Sequence, residues 1–380
     1  MAPHAPYYTE EHEQLREQVR RFVQREIAPD IEAWEEAGEF PRSLYAKAGE
    51  MGLLGIGYPD ALGGTPADPF HRIVVTDELA RPGSGGIIAG LLSHGIALPP
   101  IVALGSESLK QRIVPPVLRG EAIAALAITE PDGGSDVANL RTTARREGDH
   151  YIVDGSKTFI TSGMRADYVT VAVRTGGPGM GGISLLVVER DTPGFTRTPL
   201  AKMGWWCSDT ATLYFDGCRV PAANLVGDEN AGFLGIMHNF NGERIAIASM
   251  AVAFSQVCLD EAIAWAKERN TFGKPLVHRQ VIRHKLVDMA QRIGSSRAWL
   301  EQLAWRVGQG HWPIAEVCML KNAATQCLEF CAKEAVQIFG GAGYIRGQKV
   351  ERIYRETKVL SIGGGAEEIM KELAAKQMGL

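Results

Sequence analysis

The sequence predicts an α+β fold, mostly α, in which helices come first, β structure follows and helices return. The period of the apolar residues predicts it: near 3.6 on both flanks, it gives way to short β-rich runs only in the middle third. Gly/Pro/Asp clusters fall where the period changes, and they set an N-terminal helical domain at 1–120, a middle antiparallel β-domain at 121–229 and a C-terminal helical domain at 230–380. With 380 residues, 45% of them hydrophobic, the chain can bury two or three packed cores.

Residues 9–36 put Leu15, Val19, Phe22 and Val23 on one helical face, and Phe40-Pro41 ends that region. Helices then alternate with Gly/Pro breaks to about Gly120. Within them, Gly86 to Leu104 carries no Lys, Arg, Asp or Glu. Ser93-His94 interrupts it and Pro99-Pro100 breaks any continuous helix, so a buried helix and turn is expected rather than a membrane span. Strands are expected at Tyr151-Ile-Val, Tyr168 to Val173, Ile183 to Val188 and Ala211 to Phe215, with turns at Gly176-Gly-Pro-Gly and Asp191-Thr-Pro-Gly. After Asn230-Ala-Gly the helical period resumes through Ile245, Ala248, Val252 and Ser255.

A net charge of −4 without a Lys/Arg run argues against nucleic acid as a partner. The six cysteines are scattered, and Cys327 and Cys331 share a helical face rather than a C-x-x-C, so reduced thiols and no metal site are expected. Met1-Ala-Pro-His4 begins no apolar leader, and a cytoplasmic location is expected.

The chemistry-bearing segments are few. Thr129-Glu-Pro-Asp-Gly-Gly-Ser-Asp136 follows the apolar run Ile123 to Ile128, where a turn freed of Cβ bulk can bring backbone N–H groups to an anion. Lys157-Thr-Phe-Ile-Thr-Ser-Gly163 repeats an apolar core ending in hydroxyls and glycine. Further on come Arg269-Asn-Thr-Phe-Gly-Lys274, Gln337-Ile-Phe-Gly-Gly-Ala-Gly-Tyr344 and Ile362-Gly-Gly-Gly-Ala-Glu-Glu-Ile369. The loop Gly341 to Gly347 imitates a dinucleotide loop, but its glycine spacing is wrong and no strand precedes it; P-loop and nucleophile-elbow motifs are absent.

In this order and spacing the segments resemble the acyl-CoA dehydrogenase family of flavoenzymes, from about Tyr8 to the C-terminus. The resemblance implies the family's three-domain architecture, FAD between the β-domain and helices and partly held by a neighbouring subunit, an acyl-CoA substrate, a homotetramer, and electron-transfer flavoprotein as electron acceptor. By the same resemblance, Thr129, Gly134, Ser135, Phe159 and Thr161 match contacts to FAD in one subunit. Arg269, Phe272, Gln280, Gln337 and Gly341 match contacts to the FAD of the adjoining one. Phe159 stands where many members have Trp, which keeps ring stacking without the indole N–H, and Ala366 replaces a Thr that contacts the cofactor in many members. Ser135 and Arg244 match substrate contacts, Arg244 near the CoA end.

The family reaction removes the pro-R α-proton with a carboxylate while the β-hydrogen leaves as hydride to flavin N5, so base and flavin must face each other across Cα–Cβ. Many members carry the base in the C-terminal loop; here Gly364 occupies that position. Isovaleryl- and long-chain-type members carry it at a helix position matched by Glu243 of Asn241-Gly-Glu-Arg244, read here as opening a long helix. Glu243 is thus the expected base, and Gly364 keeps a backbone N–H that can polarise the thioester carbonyl. Three adjacent glycines should leave room around the reacting carbons for branched or medium-to-long acyl chains, with Trp205, Trp206 and Phe240 as candidates to line or cap the pocket. A flavin oxidase or monooxygenase acting on a non-CoA substrate is the alternative on this fold, and a non-catalytic binding protein the third reading.

Overall fold

The computed structural model describes residues 7–380, with the side chains of His238 and Asn239 excepted; Met1-Ala-Pro-His4 lies outside the described residues. Eight helices open the chain: α1 (Glu10–Glu26), α2 (Ile31–Ala37), α3 (Ser43–Glu50), α4 (Pro69–Leu79), α5 (Gly85–Leu91), α6 (His94–Ala97), α7 (Pro99–Leu104) and α8 (Glu107–Leu118). The amphipathic stretch 9–36 is therefore two helices, broken after Glu26. Val19, Phe22 and Val23 are buried on α1 as their spacing requires, and Leu15 packs partly buried against them. Asp68 caps α4, accepting from the N–H groups of Phe70 and His71.

Between Ala124 and Val226 lies an eight-stranded sheet: β1 (Ala124–Ala127), β2 (Thr143–Glu147), β3 (His150–Thr161), β4 (Tyr168–Arg174), β5 (Ile183–Glu189), β6 (Phe195–Pro199), β7 (Thr210–Pro221) and β8 (Leu225–Val226). The order is β6-β7-β3-β2-β4-β5-β8, with β1 beside β4. Pairing is antiparallel as expected, except that β1 runs parallel to β4 and Thr143 of β2 meets Arg174 of β4 in parallel. Strands β4 and β5 are buried on both faces, which is why they read as unbroken apolar runs instead of alternating. One face packs into a core shared with the helices on both flanks, and the other packs on α7, α8 and Ile236.

The C-terminal helices are α9 (Gly232–Glu268), α10 (Gln280–Gly308), α11 (Ile314–Phe339), α12 (Lys349–Ile362) and α13 (Glu367–Gln377), with a small hairpin of β9 (Asn270–Thr271) and β10 (Lys274–Pro275) after α9. Among the described residues α9 is the one helix long and apolar enough to span a bilayer, with α5 and α6–α7 as a bent pair, and 72% of the apolar α9 window is buried in protein. All six cysteines are free and buried, and the Cys327 and Cys331 sulfurs lie 4.0 Å apart on α11.

The three parts meet at a buried carboxylate. Glu356 of α12 accepts from the N–H of Gly85 at 2.7 Å and from that of Trp205 at 3.0 Å, one donor from the N-terminal helices and one from the sheet domain. The ring of Trp205 lies so close that a Cβ on Gly85 would fall 2.2 Å from its Nε1, so only glycine fits there. Trp206 is sandwiched by Arg346 and Arg355, 4.2 and 3.7 Å from its ring centre. Both tryptophans thus serve this junction rather than line a substrate pocket, since their rings are taken up by packing and cation–π contacts.

Candidate active site

Glu243 lies 11 residues into α9, about 16 Å from its first residue. It does not open the helix as expected, and dipole complementation at a helix start does not explain a carboxylate there. The loop after α12 swings back over it. Gly364, at φ +64°, points the direction a side chain would take straight at this carboxylate: a Cβ would sit 3.6 Å from Glu243 Oε1 and 2.5 Å from Ile247 Cδ1. The helix position and the loop position therefore address one point in space.

Among the described residues the Glu243 carboxylate accepts no hydrogen bond, and the Gly364 N–H has no acceptor. Desolvation in the cleft pushes Glu243 up to about 7, against the pull of the nearby Arg244 and Lys321 charges. Arg244 is buried, donates to Asn241 Oδ1 at 2.9 Å and towards the Gly364 carbonyl at 3.4 Å, and lies 5.8 Å from the Phe240 ring centre. It is no surface ion-pair residue. Phe240 is the one of the three candidate pocket aromatics placed beside this group.

A second group is built by the turn after β1 and by β3. Glu130 and Gly133 exchange backbone hydrogen bonds that close the turn, and Thr158 N–H donates to the Thr129 carbonyl at 2.9 Å, so the two motifs are neighbours. Gly134 and Ser135 lie exposed at its rim, and Thr161 is half-buried. Strand β3 bulges between Lys157 and Ile160, which turns Phe159 outward: its backbone is left-handed, φ 61°, and its side chain is 69% exposed. A strained aromatic held out of a strand is costly in isolation and implies a ring partner.

The third group lies at the far end of α9. Arg269 starts the small hairpin that presents Phe272, φ 50° and 96% exposed, with the Arg279 guanidinium 5.4 Å from its ring centre. Trp265 stacks on Phe339 at 4.7 Å and so holds the ends of α9 and α11 together, near Gln337 and Gly341. Arg269, Phe272, Gln280, Gln337 and Gly341 are all exposed. Arg269 is 26 residues beyond Glu243, about 39 Å along one rigid helix, so the third group does not join the first two in a single cleft of this chain.

Three family profiles match the chain in order: the acyl-CoA dehydrogenase N-terminal domain over residues 9–121, the middle domain over 125–218 and the C-terminal domain over 230–379. The chain belongs to the acyl-CoA dehydrogenase family. A probable acyl-CoA dehydrogenase from Mycobacterium abscessus superimposes with a TM-score of 0.96 at 52% identity, over 98% of this chain and all of that one (100%). The mitochondrial long-chain specific acyl-CoA dehydrogenase of Sus scrofa is 37% identical over 98% of this chain and 87% of its own. A prolyl acyl carrier protein oxidase superimposes with a TM-score of 0.93 at 29% identity, over 98% of this chain and 100% of its own. The protein is an oxidoreductase of this family.

Membership implies FAD, and the residues present fit it. Among the described residues, Phe159 and Phe272 are exposed aromatic rings held out in left-handed backbone with no ring stacked on them, the rim at Gly133 and Gly134 is open, and Thr271 Oγ1 is buried without a partner.

Sequence reasoning missed two buried lysines. Lys157 donates to the Ile128 carbonyl at 2.9 Å and to Glu130 Oε1 at 2.8 Å, and Glu130 also accepts from the N–H groups of Arg141 and Thr142, which fixes the root of the flavin-type turn. Burial pulls Lys157 down to about 8, while the same pair of charges keeps Glu130 below its usual range. Lys321 plays a similar part under the Gly364 loop. The available signal was a lone lysine inside an apolar run, at Lys157-Thr-Phe-Ile and at Cys-Met-Leu-Lys321.

Among the described residues one His/Asp group has metal-ligand spacing: His12, Asp68 and His71. Thr9 N–H donates to His12 Nδ1, which leaves the proton on Nε2 facing Asp68 Oδ1, and that oxygen is already the α4 cap. A proton stands where a metal would bind. The group is a structural hub.

Proposed function

We propose that the protein catalyses FAD-dependent α,β-dehydrogenation of an acyl-CoA thioester to the trans-2-enoyl-CoA, passing electrons to an electron-transfer flavoprotein. The observation that carries it is the convergence of Glu243 and Gly364: the carboxylate lies 3.6 Å from where a loop side chain would begin, so a base on α9 reaches the same α-proton. The Thr129–Ser135 turn, Phe159 and Thr161 would hold FAD, which would supply the hydride acceptor for the β-hydrogen. Glu243 Oε accepts the α-proton; its raised affinity for protons suits a general base working near neutral pH. The free Gly364 N–H donates to the thioester oxygen as negative charge develops there. Arg244 donates towards the Gly364 carbonyl and, by the family resemblance, would lie near the CoA end of the substrate.

Glu243→Gln tests the assignment. It should leave FAD bound and lower anaerobic flavin reduction by acyl-CoA at least ~100-fold, the usual scale for a lost positioned base. Near-normal bleaching would sink it.

The Arg269–Phe272 hairpin and the Gln337–Gly341 turn are proposed to hold the FAD of an adjoining subunit in a homotetramer, because they lie too far along α9 to serve the Glu243 cleft. A flavin-loaded monomer in sedimentation at micromolar concentration would contradict this. For substrate we propose branched or medium-to-long acyl chains, since the three glycines 363–365 bring no side chain of their own beside Glu243; if butyryl-CoA reduces the flavin best across a panel reaching palmitoyl-, isovaleryl- and citronellyl-CoA, that preference is wrong. The likeness to an acyl carrier protein oxidase keeps the oxidase reading, which rapid aerobic turnover without an added acceptor would favour. A cytoplasmic location is proposed from the reduced thiols.

A further inference from the structure

Lys321 is fully buried on α11, and among the described residues its hydrogen bonds are to backbone carbonyls rather than to a carboxylate. Its ammonium donates to two of them, Ser361 at 3.1 Å and Gly365 at 2.6 Å. Ser361 lies in the last turn of α12, where carbonyls lose their helical partners, and Gly365 follows the glycine whose N–H is free. The two bonds thus straddle Gly364. The next residue, Asn322, adds a third tie by donating to the Glu367 carbonyl at 3.0 Å. A run of three glycines has little conformational preference of its own, so without such ties the loop would sample many backbone states.

The charge has a second effect. Groups facing this spot are Glu243 and Arg244 from α9, Cys318 from α11 and Glu367 from α13. Arg244 is committed to Asn241 and the Gly364 carbonyl, and Glu367 starts a helix beyond the loop. Lys321 is the second cation that favours the ionised Glu243 in a cleft whose desolvation opposes it.

We propose that Lys321 is a positioning residue for the reaction: it clamps the glycine loop so that the Gly364 N–H stays aimed at the thioester oxygen, and its charge keeps the Glu243 carboxylate ready to take the α-proton. The proposal rests on Glu243 being the base. An apolar residue at this place would supply neither the two donors to the loop carbonyls nor the charge.

The test uses FAD-loaded protein and the variants Lys321→Met, which keeps the side-chain length, and Lys321→Gln, which can donate to a carbonyl without charge. Proton removal is read apart from oxidation by deuterium exchange at Cα of an acyl-CoA with sulfur in place of its β-carbon. Loop order is read by amide hydrogen exchange over residues 361–366. For Lys321→Met the exchange rate at pH 7 should fall about fivefold, with the rise in rate displaced upward by about one pH unit, and the loop amides should exchange faster. Lys321→Gln should recover part of the loop protection while keeping the displaced pH profile. A Met variant with the parental pH profile, or with parental loop exchange, overturns the proposal even if it melts earlier. Glu243→Gln run alongside separates the two ideas: if it still exchanges α-protons the base assignment fails, whereas an inert Glu243→Gln beside an unaltered Lys321→Met refutes the role of Lys321 alone.

Discussion

Glu243 shows what a single residue can carry when its surroundings withhold solvent. Its carboxyl is pushed up to about 7 by burial, so only part of the population is ionised at neutrality. The rate of flavin reduction should rise as pH increases through about 7 and level off above it, because the carboxylate is the form that accepts the proton. A rate independent of pH between 6 and 8.5 would refute this. Gly364 gives a second prediction at the same scale. Gly364→Ala places a methyl 2.5 Å from Ile247 Cδ1 on backbone at φ +64°. It should cost about 1–2 kcal/mol of stability from the left-handed backbone and lower the rate by displacing the loop N–H, both readable by thermal melting and anaerobic reduction. Glu243 was legible in the sequence through the resemblance to members that carry the base at this helix position, and the glycine at 364 strengthened that reading. The burial of its neighbour Lys321 could be read from the apolar run around it, but its role could not, because its partners are backbone carbonyls some forty residues away that leave no trace in side-chain identity.

At the scale of elements, the two buried lysines do for loops what ladders do for strands. Lys157→Met should leave Glu130 buried without its cation, a loss of about 3–5 kcal/mol, and should loosen the turn that carries Gly134 and Ser135. Denaturant unfolding and the flavin retained after desalting would show it; unchanged stability and unchanged flavin content would refute it. Which elements the sequence revealed follows from burial. Strands β3, β4, β5 and β7 carry β-branched runs and were read directly. Strands β2 and β6, Thr-Ala-Arg-Arg-Glu and Phe-Thr-Arg-Thr-Pro, are mostly exposed and polar, and what holds them is backbone pairing with the strand that follows, which leaves little trace in side-chain pattern. The start of α9 was misplaced because Gly235 and Gly242 interrupt the apolar period, although the helix runs through both.

Across the whole molecule, the junction at Glu356 couples stability to pH. Burial and the neighbouring Glu35 carboxylate push Glu356 above the usual carboxylate range. A folded-state value above the unfolded one means that the contribution is full in acid and is lost as pH rises from the ordinary glutamate range through the raised value. The melting temperature should therefore decline from mildly acidic to mildly alkaline pH, and Glu356→Gln, which mimics the protonated carboxyl, should flatten that decline. An equally steep decline in the variant would show that other groups set it.

The 37 residues of α9 act as a ruler between the Glu243 cleft and the Phe272 hairpin. If the hairpin completes a neighbour's site, every site is assembled from two chains, and two different injuries can cancel. In a hybrid of a Glu243→Gln chain with a Phe272→Asp chain, one site collects both lesions and its twin collects neither. Co-expression at equal levels should then restore about a quarter of parental activity from two chains that are inactive alone, as two-fold pairing at random requires. Sites made within single chains would give none. Inheritance of paired defects in such an assembly would follow the rules of complementation rather than of simple dosage.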